Sequence, residues 1–155
     1  LGHGLPFGVG KALAAIKRKE TWMTYVLMSD GEMQEGSNWE AFMFAAHHKL
    51  DNMIAIIDYN NLQSLTTVDK TLNIQPLSEK LKSFGWHVIE VDGHNHDALK
   101  KSFKDADILR NKPIVIIAKT IKGKGVSFME NKVEWHYKSP SEKEYQKALN
   151  EVKNA

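Results

Sequence analysis

A chain of 155 residues, 42% hydrophobic and 26% charged, has the composition of an ordinary globular protein and length enough for one domain with a sizeable core. A formal net charge of +2, with lysines scattered rather than striped, provides no electrostatic footprint for nucleic acid. No apolar run approaches the roughly 20 residues that span a bilayer, and the absence of cysteine excludes disulfides and thiolate metal sites; the expected location is the cytoplasm.

The chain opens at Leu1, inside a motif rather than at an initiator Met. Gly2, Gly4, Gly8 and Gly10 stand at the front of an apolar, Ala-rich segment reaching about Ile16, and Lys17-Arg18-Lys19 follow, as basic residues do in the last turn of a helix. Glycines here allow close helix packing or close approach of backbone to a cofactor. A dinucleotide fingerprint would need a preceding strand, and none is visible. Residues 22–28 read as a strand ending in Ser29-Asp30-Gly31-Glu32. Ser37 and Glu40 have capping-box spacing and predict a helix start, with Phe42, Ala45, Ala46 and Leu50 toward the core. Adjacent His47 and His48 cannot face one ligand together on a helix, so one is expected to pack and one to be solvated. Residues 53–57 form the second strand, ending in Asp58-Tyr59-Asn60-Asn61.

Residues 63–69 read as a polar loop, and 77–84 as a short helix closed by Gly85. The third strand, 87–91, ends in Asp92-Gly93-His94-Asn95-His96-Asp97. His94 and His96 could suggest a metal site; a turn capped by Asn or His before a helix at 98–103 is the preferred reading. Residues 113–118 are a continuous apolar run, as in a strand covered on both faces. The Lys-Gly repeat at 122–125 predicts a flexible basic loop, either a solvated turn or a contributor to an anion site. Residues 141–152 form a last amphipathic helix with Ser141 and Glu144 as its capping box.

A helix between the first two strands makes them parallel neighbours, because a crossover must bring the chain back. Their polar ends then share one sheet edge, where open α/β sheets bind ligands. Asp30 offers a hard carboxylate, Asn60 an amide oxygen, and the backbone after it a carbonyl. One carboxylate with neutral oxygens suits Mg²⁺, which fills its octahedron with phosphate oxygens and water. Gly31 leaves room for a phosphate, and a helix N-terminus just beyond it would direct amides at the same anion. The edge reads as a magnesium-bridged diphosphate site.

Asp30-Gly31 followed by Asn60 about thirty residues on resembles the thiamine-diphosphate motif. The neighbours resemble the transketolase family: Asp30-Gly31-Glu32-Met33-Gln34-Glu35-Gly36, Glu40, Ala45-Ala46-His47-His48-Lys49-Leu50, the opening Leu1-Gly2-His3-Gly4-Leu5-Pro6, and Lys119-Thr120-Ile121-Lys122-Gly123-Lys124-Gly125-Val126 with His136. These cover nearly the whole chain in the family's order. One departure is Ser29, where the family has Gly; a backbone angle reserved for Gly would be strained there.

The pattern predicts an α/β fold, a mostly parallel sheet with helices on both faces. The resemblance implies a thiamine-diphosphate-binding fold, with residues 1–155 a single domain forming part of the diphosphate-binding domain. The implied activity is transfer of a two-carbon ketol unit between sugar phosphates. The implied metal ligands are Asp30, Asn60 and the Leu62 carbonyl. Leu1, Gly2, Gly31, Glu32, Ile121, Lys122 and His136 join Asp30, Asn60 and Leu62 at the cofactor, and His136 also reaches the substrate side. Its polar neighbours Glu134, Tyr137 and Lys138 place it in a loop. Glu35 and Glu40 either favour a helix start by charge or, by resemblance, lie between the two active sites of a dimer. The activating Glu belongs to a companion pyrimidine-binding domain or chain, which makes this chain a fragment or half of a split enzyme, a homodimer or heterotetramer, inactive alone.

Two alternatives remain. A deoxyxylulose phosphate synthase or keto-acid dehydrogenase component would share Asp30, Gly31 and Asn60, although Gln34-Glu35-Gly36 and the loop at 123–125 favour transketolase. A non-catalytic phosphate-binding module would want a second acid near Asp30. Glu32 is present, but Asn60 and the Gly loops would go unexplained.

Overall fold

A computed structural model describes residues 1–154. Its centre is a four-stranded, all-parallel sheet of β1 (Thr24–Ser29), β2 (Met53–Tyr59), β3 (His87–Asp92) and β4 (Ile114–Lys119), in the order β1-β2-β4-β3. The helices are α1 (Gly4–Arg18), α2 (Gly36–His47), α3 (Val68–Thr71), α4 (Leu77–Ser83), α5 (His96–Ile108) and α6 (Glu142–Lys153), with 3-10 turns at Gly31–Gln34 and Val133–His136. The expected pairing holds: β1 and β2 run parallel from Thr24 beside Met53 to Ser29 beside Asp58. β4 lies between β2 and β3, which explains its unbroken apolar run, since both of its faces are covered.

Helices cover both faces, unequally. On one face α1, α2 and α4 bury Leu5, Ala12, Phe42, Ala45 and Leu81 against the sheet. Trp86 closes this layer, its ring 4.8 Å from Phe42 and edge-on, its indole N–H donating to the Phe42 carbonyl at 2.8 Å. Truncating Phe42 to Ala would cost about 3–5 kcal/mol at so well packed a site. On the other face α5 sets Ala106 and Phe103 over Ile54, Ile114 and Ile116. It reaches β1 through an edge contact between Phe103 and Tyr25. Leu27 of β1 stays 72% exposed, and β1 has no neighbour on its outer edge among the described residues.

Several local expectations are corrected. Ser37 caps nothing: α2 starts at Gly36 with Glu35 at the N-cap and no side-chain cap bond. The Ser37 hydroxyl goes to a tertiary partner instead. His47 and His48 are both exposed, their rings meeting edge to face. The helix expected at 98–103 runs from His96 to Ile108, because Asn95 accepts from the Asp97 and Ala98 amides and starts it early. The loop at 63–69 runs into α3 at Val68. The Lys-Gly loop is a fixed set of turns: Lys124 N–H bonds the Ile121 carbonyl, Val126 N–H that of Gly123, and Gly125 N–H the Glu130 carboxylate. Gly123, at φ 75°, sits against the Met129 backbone, where only glycine fits. The Ser141/Glu144 capping box and Gly85 after α4, at φ 94°, stand as expected.

Candidate functional site

The carboxyl ends of β1 and β2 meet at Asp30. Its N–H bonds the Asp58 carbonyl at 3.2 Å, carrying the β1–β2 ladder one residue past the strand. The residue is 1% exposed. Its carboxylate accepts from the Gly31 N–H at 2.7 Å and from the Asn61 N–H. Burial raises its pKa above the usual carboxylate value and the nearby Asp58 charge adds to this, while the Asn61 and Gly31 amides oppose it. A buried carboxylate beside a second carboxylate is a position where a divalent cation relieves both desolvation and repulsion.

The second strand end is built by a turn. Asn61 takes the left-handed conformation at φ 61°, which asparagine tolerates. Asn60 Oδ1 accepts from the Leu62 N–H at 3.0 Å, and Asn60 Nδ2 donates to Asp58 Oδ2 at 3.3 Å. Asp58 also accepts from the Thr120 hydroxyl at the end of β4. The Leu62 carbonyl accepts no hydrogen bond among the described residues. Asp30, Asn60 and Leu62 thus bring one carboxylate, one amide oxygen and one open carbonyl to the same strand ends. This hard-oxygen set fits Mg²⁺, and no group of three or more His, Cys, Asp or Glu with metal-binding potential occurs among the described residues.

Ser29 carries no strain. It is the last residue of β1, and its hydroxyl accepts from the Glu32 N–H at 3.1 Å. Glu32 in turn accepts from the Gly2 N–H at 2.8 Å, and the Ser37 hydroxyl donates to the Gly2 carbonyl at 2.6 Å. Gly2 itself, at φ 76°, would set a Cβ 2.8 Å from both Glu35 and Ser37. The glycine-rich opening is therefore pinned beside the turn after Asp30. Gly31 faces Gln63, which a Cβ would approach to 3.2 Å.

Beyond the strand ends lies a cleft of about 660 Å³ whose polar lining includes Asp58, Asn60, His94, Thr120 and Lys122, with Ile121 beside them. Asn60, Ile121 and Lys122 line it, whereas Gly2, Asp30, Gly31, Glu32 and Leu62 do not. Leu1 is 80% exposed outside it. His136 ends the Val133–His136 turn, exposed, its ring edge-on to Tyr137, and does not line the cleft. Glu35 is exposed at the start of α2. Glu40 borders a separate groove of about 360 Å³ between α1 and α2, with Pro6, Val9 and Phe44. Asp58, Thr120 and His94 also line this cleft; the sequence pattern assigns Asp58 and Thr120 no individual role and reads His94 as part of a turn. Asp58 carried a signal, standing directly after an apolar strand; Thr120 and His94 join the site only through strand order.

A family model described as transketolase, thiamine diphosphate binding domain, matches residues 11–152. The chain belongs to the transketolase family. It is 43% identical over 152 residues to an apulose-4-phosphate transketolase subunit of Phocaeicola vulgatus, covering 98% of this chain and 54% of that protein. It is 39% identical over 152 residues to a 6-deoxy-6-sulfo-D-fructose transketolase subunit from a Clostridium species, covering 98% of this chain and 55% of that protein. A crystal structure of transketolase from Campylobacter jejuni superposes with a TM-score of 0.93 at 32% identity, over 99% of this chain and 25% of that one. The chain spans about half the length of the curated subunits it matches. No helix among the described residues is long and apolar enough to cross a membrane.

Proposed function

We propose that this chain is the diphosphate-holding part of a split transketolase, transferring a two-carbon ketol unit between phosphorylated sugars. The observation that carries this is the placement of the buried Asp30 carboxylate on the Asn60–Asn61 turn, at the carboxyl ends of two adjacent parallel strands. Asp30, Asn60 and the Leu62 carbonyl would hold Mg²⁺. Leu1, Gly2, Gly31, Glu32, Ile121, Lys122 and His136 would surround thiamine diphosphate, which when bound supplies the carbon nucleophile and electron sink for breaking the sugar's C–C bond. Within this chain, Asp30 would counter the charge of the metal and Lys122 would offer positive charge to the diphosphate, while the space beside Gly2 and Gly31 is taken by Glu35, Ser37 and Gln63 rather than left open. His136 would meet the substrate phosphate.

Both named relatives are transketolase subunits, one for a sugar phosphate and one for a sulfonated sugar. This supports an anionic ketose as donor here, and a companion chain carrying the pyrimidine-binding half and its activating carboxylate. Glu35 and Glu40 would border the interface between protomers; the apolar groove beside Glu40, with Phe44 42% exposed, supports that placement. The assembly would be a homodimer or heterotetramer in the cytoplasm, and the whole of residues 1–155 part of one diphosphate-binding domain.

The test is a ketol-transfer assay with a ketose phosphate donor, Mg²⁺ and thiamine diphosphate, with and without the companion chain, alongside a cofactor titration of this chain. The expected result is cofactor binding that needs Mg²⁺, and turnover only with the companion. Full activity of this chain alone would overturn the two-part reading, and turnover of pyruvate in place of the ketose would assign another thiamine enzyme.

A further inference from the structure

The turn after β3 is fastened to the loop after β4 by one imidazole side chain. Gly93 N–H bonds the Lys119 carbonyl at 2.8 Å, extending the β3–β4 ladder beyond the strands. Next along, the Ile121 N–H donates to His94 Nε2 at 2.7 Å. The imidazole thus stands where the next backbone carbonyl of a longer strand would be. Close approach is enforced by Gly93, whose added Cβ would lie 2.5 Å from Thr120 Cγ2 and 3.1 Å from the Lys119 carbonyl. The Asp92 carboxylate accepts from the His94 N–H at 2.9 Å and fixes the turn from the other side. His94, Ile121 and Lys122 all line the cleft with Asn60.

We propose that His94 is a positioning residue that holds the Ile121–Lys122 backbone in place for the cofactor's diphosphate, and that its ring is locked as the Nδ1–H tautomer. The tautomer follows from the donor: a backbone N–H can only be accepted by a ring nitrogen without a proton, so the proton of the uncharged ring resides on Nδ1. The role rests on reading the cleft as the diphosphate site. Without the acceptor, the Ile121 amide loses its partner, and the loop end beside Thr120 is no longer tied to β3.

The test uses this chain with three readouts. Ring ¹⁵N shifts report the tautomer, hydrogen exchange reports the Ile121 amide, and calorimetry reports thiamine diphosphate affinity in Mg²⁺. Wild type should show Nδ1–H. His94→Ala should expose the Ile121 amide to faster exchange and weaken the cofactor roughly three- to tenfold, the worth of one ordinary hydrogen bond. His94→Gln, whose amide oxygen can reach the place of Nε2, should recover both, which a merely space-filling histidine would not. An Nε2–H ring, or an Ala variant matching wild type in exchange and affinity, overturns the proposal. A wild-type chain that binds no cofactor would instead overturn the diphosphate reading and the positioning role with it, while the tautomer and exchange still report the bond itself.

Discussion

The Ser37 hydroxyl donates to the Gly2 carbonyl at 2.6 Å while Glu32 accepts from the Gly2 N–H at 2.8 Å, so both polar groups of one glycine are held by the segment that follows Asp30. Ser37→Ala should release one side of this clasp at a cost of about 1 kcal/mol. Hydrogen exchange would rise at the residues around His3, and the melting temperature would fall slightly. An unchanged exchange pattern would show that Glu32 alone suffices.

Asp30→Ala should abolish Mg²⁺-dependent cofactor binding, a larger effect than the roughly 10–100-fold that loss of an outer partner of a metal ligand brings. Its pKa is raised, chiefly by burial. Folding therefore favours the protonated carboxyl. In the metal-free chain this group's contribution to stability declines as pH rises from the usual carboxylate value through the raised one, then stays constant. Melting curves against pH should show that decline in wild type and not in Asp30→Ala. Mg²⁺ with cofactor should offset it in wild type alone.

Gly93→Ala places a methyl group 2.5 Å from Thr120 Cγ2 and 3.2 Å from Ala118 Cβ. β4 is central and cannot move, so the turn must lift. The expected loss is about 1–3 kcal/mol, as for other overpacked positions. A melting temperature equal to wild type would show that the turn has room to shift.

Glu144 answers acid in the opposite sense to Asp30. Its ion pair with Lys138 at 2.7 Å and its bonds from Ser141 hold its pKa down to about 2. The stabilisation is present above the ordinary glutamate value and is lost as pH falls toward about 2. The start of α6 should fray over that window, and Glu144→Gln should fray already at neutral pH. Circular dichroism or exchange at Tyr145 would follow it.

The strand pattern, the parallel pairing of β1 with β2 and the meeting of Asp30 with the Asn60 turn were legible, because apolar period and the crossover rule act locally. The partners of Thr120 and His94 were not. They depend on β4 entering between β2 and β3, and nothing in the apolar run at 113–118 states which strands flank it. Ser37 misled for a related reason: its spacing to Glu40 fits a capping box, but a carbonyl from residue 2 competes for the hydroxyl and wins. The Lys-Gly repeat looked mobile because glycine permits mobility, whereas Glu130 and the Met129 backbone use the same glycines to fix it.

The outer side of β1 governs how the chain keeps at high concentration. Thr24-Tyr25-Val26-Leu27-Met28 contains no charge and no proline, its ladder groups are unpaired on one side among the described residues, and Tyr25 and Leu27 are 52% and 72% exposed. Such strands stack edge to edge into insoluble assemblies. Turbidity should climb steeply with protein concentration, and Leu27→Lys should suppress it without touching the core. The strand that leads into Asp30 also sets the ceiling at which the chain can be stored.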